Sequence, residues 1–316
     1  MNTLFLTLNK LNSILKAIIC TVAVLLVLIV GGFMKTCDIN IRDPFVLNEN
    51  GLFYMYGTRA RNFGTKVGGF DVYISSDLEN WSEPTECFNS IENGMNIDVN
   101  WAPEVHKYNG CYYMLATFTG ENKLRGTHIL KSDSPLGPFT PHSNGAVTPG
   151  EWMSLDGTLY ISRDNTPYIV FCHEHVQITD GTICYAQLSD DLTHIVSDVV
   201  TLFSASSPYW ADKKPAGENY VTDGPFLYRT NTDELIMIWS TFIKNKYAEC
   251  MVRFNGGEIG RDFVHLEPLI KDDGGHGMIF AKDGELILTF HTPNQSLYER
   301  PSFKKLIDKG THFELD

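Results

Sequence analysis

The sequence is short of positive charge. Lys and Arg number 25 against 38 Asp and Glu, a formal net charge of -13 over 316 residues. Phosphate binding draws on a Lys/Arg surplus, so this balance speaks against a nucleic-acid partner and suits an enzyme of neutral polymers. Paired cysteines are missing as well. Cys20, Cys37, Cys87, Cys111, Cys172, Cys184 and Cys250 are seven, an odd number with no C-x-x-C pair, so neither a disulfide framework nor a zinc site is read from them. Cys172 and Cys184 fall on strands predicted to be neighbours, and two buried thiols is the preferred reading of them. No long amphipathic helical period follows residue 40, which argues against a (β/α)8 barrel and a Rossmann fold. Disorder is also excluded, because 12% aromatic and 20% charged residues make a folding composition.

The N-terminus stands apart. Lys10 and Lys16 precede an uncharged apolar run from Ala17 to Met34, and Lys35 follows. A basic region followed by an apolar stretch and then a polar chain is the layout of an export signal. The run also just reaches membrane-span length, and no clear A-x-A cleavage site follows it. Two readings therefore stand for residues 1–36: a cleaved export signal or an uncleaved membrane anchor. Both place the remainder, residues 37–316, outside the cytoplasm, with any membrane contact made through the N-terminal segment alone.

What the rest contains is a repeat. A short polar opener, an apolar strand, a turn and a returning apolar strand occur five times. The units open at Asp43-Pro44, Trp101-Ala102-Pro103, Asp156-Gly157, Asp223-Gly224-Pro225 and His276-Gly277. Their turns include Asn50-Gly51, Asn109-Gly110 and Asp283-Gly284, residues that tolerate the positive φ of tight hairpins. The flanking runs are rich in β-branched and aromatic residues. A spacing of roughly fifty to seventy residues fits one four-stranded propeller blade per unit. The expected fold is all-β, a five-bladed β-propeller. In such a fold the first strand of each blade lines the central channel. The openers, read as Asp43, Ala102, Asp156, Asp223 and His276, then meet at one mouth. The loops after each second strand, carrying His173-Glu174-His175 and His291-Thr292-Pro293-Asn294, return to the same mouth.

Like charges at close range repel, so three aspartates on one inner rim cost electrostatic energy and point to a ligand, a metal or a catalytic task. Singly, each Asp reads as a turn former. His173 and His175 lack a third ligand at a diagnostic spacing, which places a metal hydrolase low.

The ordered set Asp43-Pro44, Trp101-Ala102-Pro103-Glu104-Val105, Asp223-Gly224-Pro225 and Gly275-His276-Gly277 resembles glycoside hydrolase family 43 over about residues 38–316. The resemblance implies an inverting glycosidase on a five-bladed propeller, acting on arabinose- or xylose-containing plant polysaccharides or oligosaccharides. An exo-acting α-L-arabinofuranosidase is the preferred version, its blocked end built by the loops after Arg59 and around residues 206–219. It further implies Asp43 as the general base and Asp156 as the residue that orients the acid and tunes its pKa. Asp223 falls where the family carries a Glu general acid, one methylene longer. Glu174 is the substitute donor, and Glu104 a distant third. His276 matches a histidine that helps hold calcium in the channel of many members, though calcium prefers oxygen ligands; no organic cofactor is implied. His291 and Arg300 match positions near substrate, and His173 is placed with them. Trp101 offers a flat face to a sugar ring. The alternative is a non-catalytic carbohydrate-binding propeller that has lost its acid. An invertase-like propeller using an Asp nucleophile ranks below both, since no fructosidase-type signature surrounds Asp43.

Overall fold

The computed structural model describes residues 32–60, 68–95, 97–120, 124–215 and 217–316. It is all-β apart from short helical turns, with five antiparallel sheets arranged as the blades of a propeller. Blade I opens with Ile41–Glu49, blade II with Ile97–Tyr108, blade III with Ser154–Ile161, blade IV with Asp223–Arg229 and blade V with Gly275–Lys282. These first strands pack on one another in a closed cycle, I on II, II on III, III on IV, IV on V and V on I. The remaining strands of each blade follow outward in chain order, except that in blade I Asn80–Ser82 and Thr85–Phe88 both pair with Phe70–Ser75, and Phe33–Lys35 adds a sixth strand on Asn80–Ser82.

Local chemistry sets the hairpins. Asn50-Gly51, Asn109-Gly110 and Asp283-Gly284 take positive φ at both turn residues, the geometry whose twist matches that of the flanking strands. Inner strands are buried on both faces, as with Leu235–Ile243, where every residue is buried. Each blade is sandwiched between two others, so alternation gives way to continuous apolar runs.

No sheet is shared between blades I and V among the described residues, so side chains close the ring. Asn40 Nδ2 donates to the carbonyls of Leu297 (3.1 Å) and Glu299 (2.9 Å). Arg42 Nη1 donates to Glu299 Oε1 at 2.7 Å. Arg300 Nε donates to the Cys37 carbonyl at 2.8 Å. Farther out, Trp81 stacks on Phe303, centroids 5.9 Å apart and planes 15° apart.

The expected boundary at residue 36 falls inside this construction, because Phe33–Lys35 is paired and Thr36 Oγ1 bonds the Leu78 carbonyl. The apolar run from Ala17 lies mostly outside the described residues; among those described, no helix is long and apolar enough to cross a membrane. Cys172 and Cys184 remain thiols. Their strands are adjacent, but Cys172 pairs with Ile183 and Cys184 with Phe171. An offset of one residue sends the two side chains to opposite faces of the sheet, into separate core clusters.

Candidate active site

Each blade begins with a bulge, and in each one residue takes a left-handed backbone: Asp43 (φ 53°), Ala102 (46°), Asp156 (55°), Gly224 (51°) and His276 (54°). The fourth member is Gly224, not Asp223. The strand registers agree: Arg42, Trp101, Leu155, Asp223 and Gly275 each pair with the second strand just before the bulge. Each opener is followed by Pro or Gly, but in blade IV both Asp223-Gly224 and Gly224-Pro225 meet that rule, and the strand register selects Gly224. Asp223 therefore occupies the same station as Arg42 and Trp101, and like them it lines the cavity wall.

The opener amides are held by the preceding blade. Ala102 N donates to Thr58 Oγ1 (2.7 Å), Asp156 N to Thr117 Oγ1 (2.9 Å), His276 N to Ser240 Oγ (2.7 Å) and Asp43 N to His291 Nδ1 (3.2 Å). All four acceptors sit at equivalent points of a second strand. The fifth such point is Cys172, opposite Leu155. Sulfur is a weak acceptor, and the Gly224 amide turns instead to Asp156 Oδ2 at 3.1 Å. This places the Asp156 carboxylate across the seam between blades III and IV.

The openers surround a cavity of about 360 Å³, lined by Arg42, Asp43, Trp101, Arg125, Asp156 and Glu174 together with His175, Lys214, Asp223, Tyr247, His276 and Asn294. Asp43 lies at its floor. Its Oδ2 accepts from Thr58 Oγ1 at 2.7 Å, and its Oδ1 is 3.2 Å from His276 Nδ1. Burial alone would raise its pKa, but His276, Arg42 and the Thr58 hydroxyl together hold it below the ordinary carboxylate range. Asp156, whose Oδ2 is 3.8 Å from the same His276 nitrogen, goes the other way. Burial is the largest cause, and the Asp223 and Asp43 charges add to it. Two neighbouring carboxylates thus differ in their hold on a proton, the mark of divided roles.

His276 is cationic. Burial opposes this, yet Asp43, Asp156, Asp223 and Glu104 raise it to about 9. His291 is neutral. Its Nδ1 accepts the Asp43 amide, and burial and Arg42 lower it to about 3. Its 3.4 Å approach to Asp43 Oδ1 is therefore a close contact and not an ion pair.

Asp223 is partly exposed to the cavity and accepts from Tyr247 Oη at 3.0 Å. Glu174 stands on the wall contributed by blade III, only 3% exposed. Its Oε1 accepts from Arg125 Nη1 at 2.8 Å, and Arg125 lies 4.8 Å over the Trp101 ring. Burial, partly offset by Arg125, pushes Glu174 up to about 7. Glu104 sits deeper, its Oε2 3.0 Å from His106 Nε2, beside a void of about 10 Å³ under His276.

Three expected contacts are placed elsewhere. His173 ends its strand one residue before Glu174, and extended backbone alternates. Its ring stacks on Trp152 at 4.1 Å and bonds Gln177 Oε1. His291 is fully buried behind Asp43. Arg300 belongs to the blade I–V clasp, and Arg42 occupies the cavity in its stead, anchored on buried Glu299 and on Asn294 Oδ1 at 3.0 Å. Arg42 was readable as the residue before an opener. Arg125, Tyr247 and Lys214 come from other parts of the blades, and no local motif marks them. Calcium takes six to eight oxygens, whereas the nitrogen of His276 faces Asp43, whose charge holds it as a cation. Among the described residues no group of three or more His, Cys, Asp or Glu side chains is arranged to hold a metal ion.

Known proteins share this architecture. The family model for glycosyl hydrolases family 43 matches residues 37–306. The chain is 25% identical over 254 residues to an arabinoxylan arabinofuranohydrolase of Bacillus subtilis (strain 168), covering 59% of this chain and 48% of that protein. It is 28% identical over 206 residues to a probable arabinan endo-1,5-alpha-L-arabinosidase A of Emericella nidulans, covering 60% and 55%. The chain thus spans about half the length of these curated relatives. Among solved structures it is similar to the endo-arabinase from Bacteroides thetaiotaomicron VPI-5482, with a TM-score of 0.81 and 36% identity, covering 88% of this chain and 99% of that one. With five blades around one acidic cavity and a family match running from blade I into blade V, the chain belongs to glycosyl hydrolase family 43.

Proposed function

We propose that this protein is an inverting glycosidase that cleaves α-L-arabinosyl linkages inside arabinan chains. The carrying observation is the pairing of an ionised Asp43 with Asp223 on one cavity, in a chain 36% identical to an endo-arabinase across 99% of that enzyme. Exo-action required a wall that includes the loop after Arg59, and residues 61–67 lie outside the described residues. The names of two similar proteins favour internal cleavage.

In this reading Asp43 takes a proton from a water as the water oxygen bonds the anomeric carbon. The bond to the departing sugar oxygen breaks, and Asp223 gives that oxygen its proton. One carboxyl thus ends protonated and the other ionised, and exchange with solvent resets both. Asp223 is preferred over Glu174 as donor because it is open to the cavity, whereas Glu174 is buried and engaged by Arg125. Arg42 and Trp101 are the side chains we assign to sugar hydroxyls and the sugar face. The basic–apolar N-terminal layout supports export to where such polymers occur.

The test measures turnover of linear arabinan oligosaccharides and of 4-nitrophenyl α-L-arabinofuranoside, with the anomer released followed by proton NMR. Asp43→Asn is expected to lose about 100- to 10,000-fold on both substrates, the range of a general base. Asp223→Asn is expected to lose as much on the oligosaccharide but far less on the aryl glycoside, whose leaving group departs with little proton assistance. Glu174→Gln is expected to stay within about tenfold on both, short of that range. Binding without turnover by the wild type would replace this reading with a carbohydrate-binding propeller. If Glu174→Gln, and not Asp223→Asn, shows the leaving-group dependence, the donor is Glu174.

A further inference from the structure

Glu249 is a fully buried carboxyl that lies outside the cavity and takes no part in the steps above. It sits on the third strand of blade IV, Lys246–Phe254, directly opposite Ser240 on the second strand. Its Oε2 accepts two hydrogen bonds, from Ser240 Oγ at 3.1 Å and from the Gly277 amide at 2.8 Å. Ser240 in turn accepts the His276 amide at 2.7 Å. A serine hydroxyl has one proton to give, and here Glu249 receives it. The two amides flanking the His276 carbonyl therefore end, directly or through one hydroxyl, on a single buried oxygen.

Burying a carboxyl costs free energy unless its bonds recover it, and a non-glycine residue in the left-handed region persists only where its surroundings hold it there. The two costs meet at His276. Packing leaves the arrangement little slack: a methyl group at Gly275 would sit 2.7 Å from Ser240 Oγ, and one at Gly277 would sit 3.0 Å from Glu249 Oε2. The same relay occurs once more in the ring, where the Ala102 amide bonds Thr58 Oγ1 and that hydroxyl bonds Asp43. There the terminal carboxylate is in the cavity. In blade V it is displaced into the interior, and the side chain delivered to the cavity is the imidazole.

We infer that Glu249 is a positioning residue of the active site: through Ser240 Oγ and the Gly277 amide it fixes the turn that holds His276 between Asp43 and Asp156. The inference rests on the glycosidase reading for its kinetic consequence, but its geometric claim is independent of that reading.

The test compares Glu249→Gln, Glu249→Met and Ser240→Ala. Gln keeps a carbonyl oxygen at the same reach, and Met keeps the volume without an acceptor. Crystal structures of Glu249→Met and Ser240→Ala should show the His276 ring displaced from Asp43 by on the order of 1 Å, a shift of the kind that costs up to about 100-fold in rate. Steady-state kinetics on arabinan oligosaccharides should show kcat reduced about tenfold or more in both, with KM changed less than about threefold, while Glu249→Gln restores kcat to near wild type. A His276 ring that stays in place in folded Glu249→Met and Ser240→Ala overturns the inference, whatever the activity. So does a Glu249→Gln variant as impaired as Glu249→Met, because the acceptor would then not be what matters. A wild type that turns over no glycoside refutes the glycosidase reading alone, and the crystal structures still decide this one.

Discussion

At the scale of single residues, the site depends on backbone conformations that side chains tolerate poorly. His276 occupies its place because Gly224 has no Cβ: a methyl group there would lie 2.6 Å from His276 Cδ2, and the position has φ 51°. Gly224→Ala meets both obstacles. Strain in the left-handed region costs roughly 1–2 kcal/mol per residue, and relief of the clash must push the imidazole off Asp43. The expected outcome is a loss of kcat of about tenfold or more with a Tm lowered by a few degrees, read by steady-state kinetics and calorimetry. An unchanged kcat would mean that the His276 ring has room the structure does not give it. Two of the site aspartates also divide by environment. Asp43 is held ionised by neighbouring cations, and Asp156 is kept from ionising by burial between two carboxylates. Neither state follows from the residue type.

At the scale of elements, the weak point is the join between blades I and V. Four of the five inter-blade joints connect consecutive stretches of chain. The fifth joins residues far apart in the chain, 259 positions in the Asn40–Glu299 bond, without a shared sheet among the described residues. Its strength comes from a polar clasp near the axis and an aromatic stack outside it. Trp81 is fully buried, stacks on Phe303 and donates from Nε1 to Thr36 Oγ1 at 3.0 Å. Trp81→Ala removes the stack and leaves a cavity, for an expected loss of about 3–5 kcal/mol in urea denaturation. A value below about 1 kcal/mol, the cost expected of a volume-conserving core change, would place the strength of the seam in the Arg42–Glu299 clasp instead.

At the scale of the whole molecule, buried titratable groups make stability depend on pH with a definite sign. Burial, outweighing other effects, holds a proton on Glu249 to about 8 against 4.5 for the ordinary residue. His276, against the pull of burial, keeps its proton to about 9 because of Asp43 and the other carboxylates. Between pH 6.5 and 8 the folded state therefore binds more protons than the unfolded chain, and its stability falls as pH rises. His265 and His291, lowered by burial to about 4 and about 3, are neutral in both states across this window. They act only below pH 6.5, where the protons the native histidines refuse and those that buried Glu249 and Glu174 keep work in opposite directions. The measurable consequence is a Tm that drops by several degrees from pH 6.5 towards pH 9. A Tm that climbs from pH 6.5 to 9 would contradict the protonation of His276 and Glu249.

The sequence by itself determined the architecture. Five recurrences of opener, strand, turn and strand are a local pattern, and Asn-Gly and Asp-Gly turns act within a few residues of where they are written. Asp43 and Asp156 were legible on the rim for the same reason, as members of a repeat. Only the tertiary structure decided the rest. The register of blade IV turned on whether Asp223 or Gly224 takes the left-handed position, and both dipeptides suit a turn; packing against His276 selects the glycine. Arg300 and Arg42 are equally plausible sugar ligands on paper, and the closing of blade V on blade I sends one into the clasp and the other into the cavity. Glu174 and His173 are adjacent in sequence and part ways because extended backbone alternates. Arg125, Tyr247 and Glu249 carried no local signal, because what makes each matter is a partner on another strand or another blade. A proton's preference for one carboxylate over another depends on burial and on charges a few ångströms away, and those distances exist only once the ring is closed.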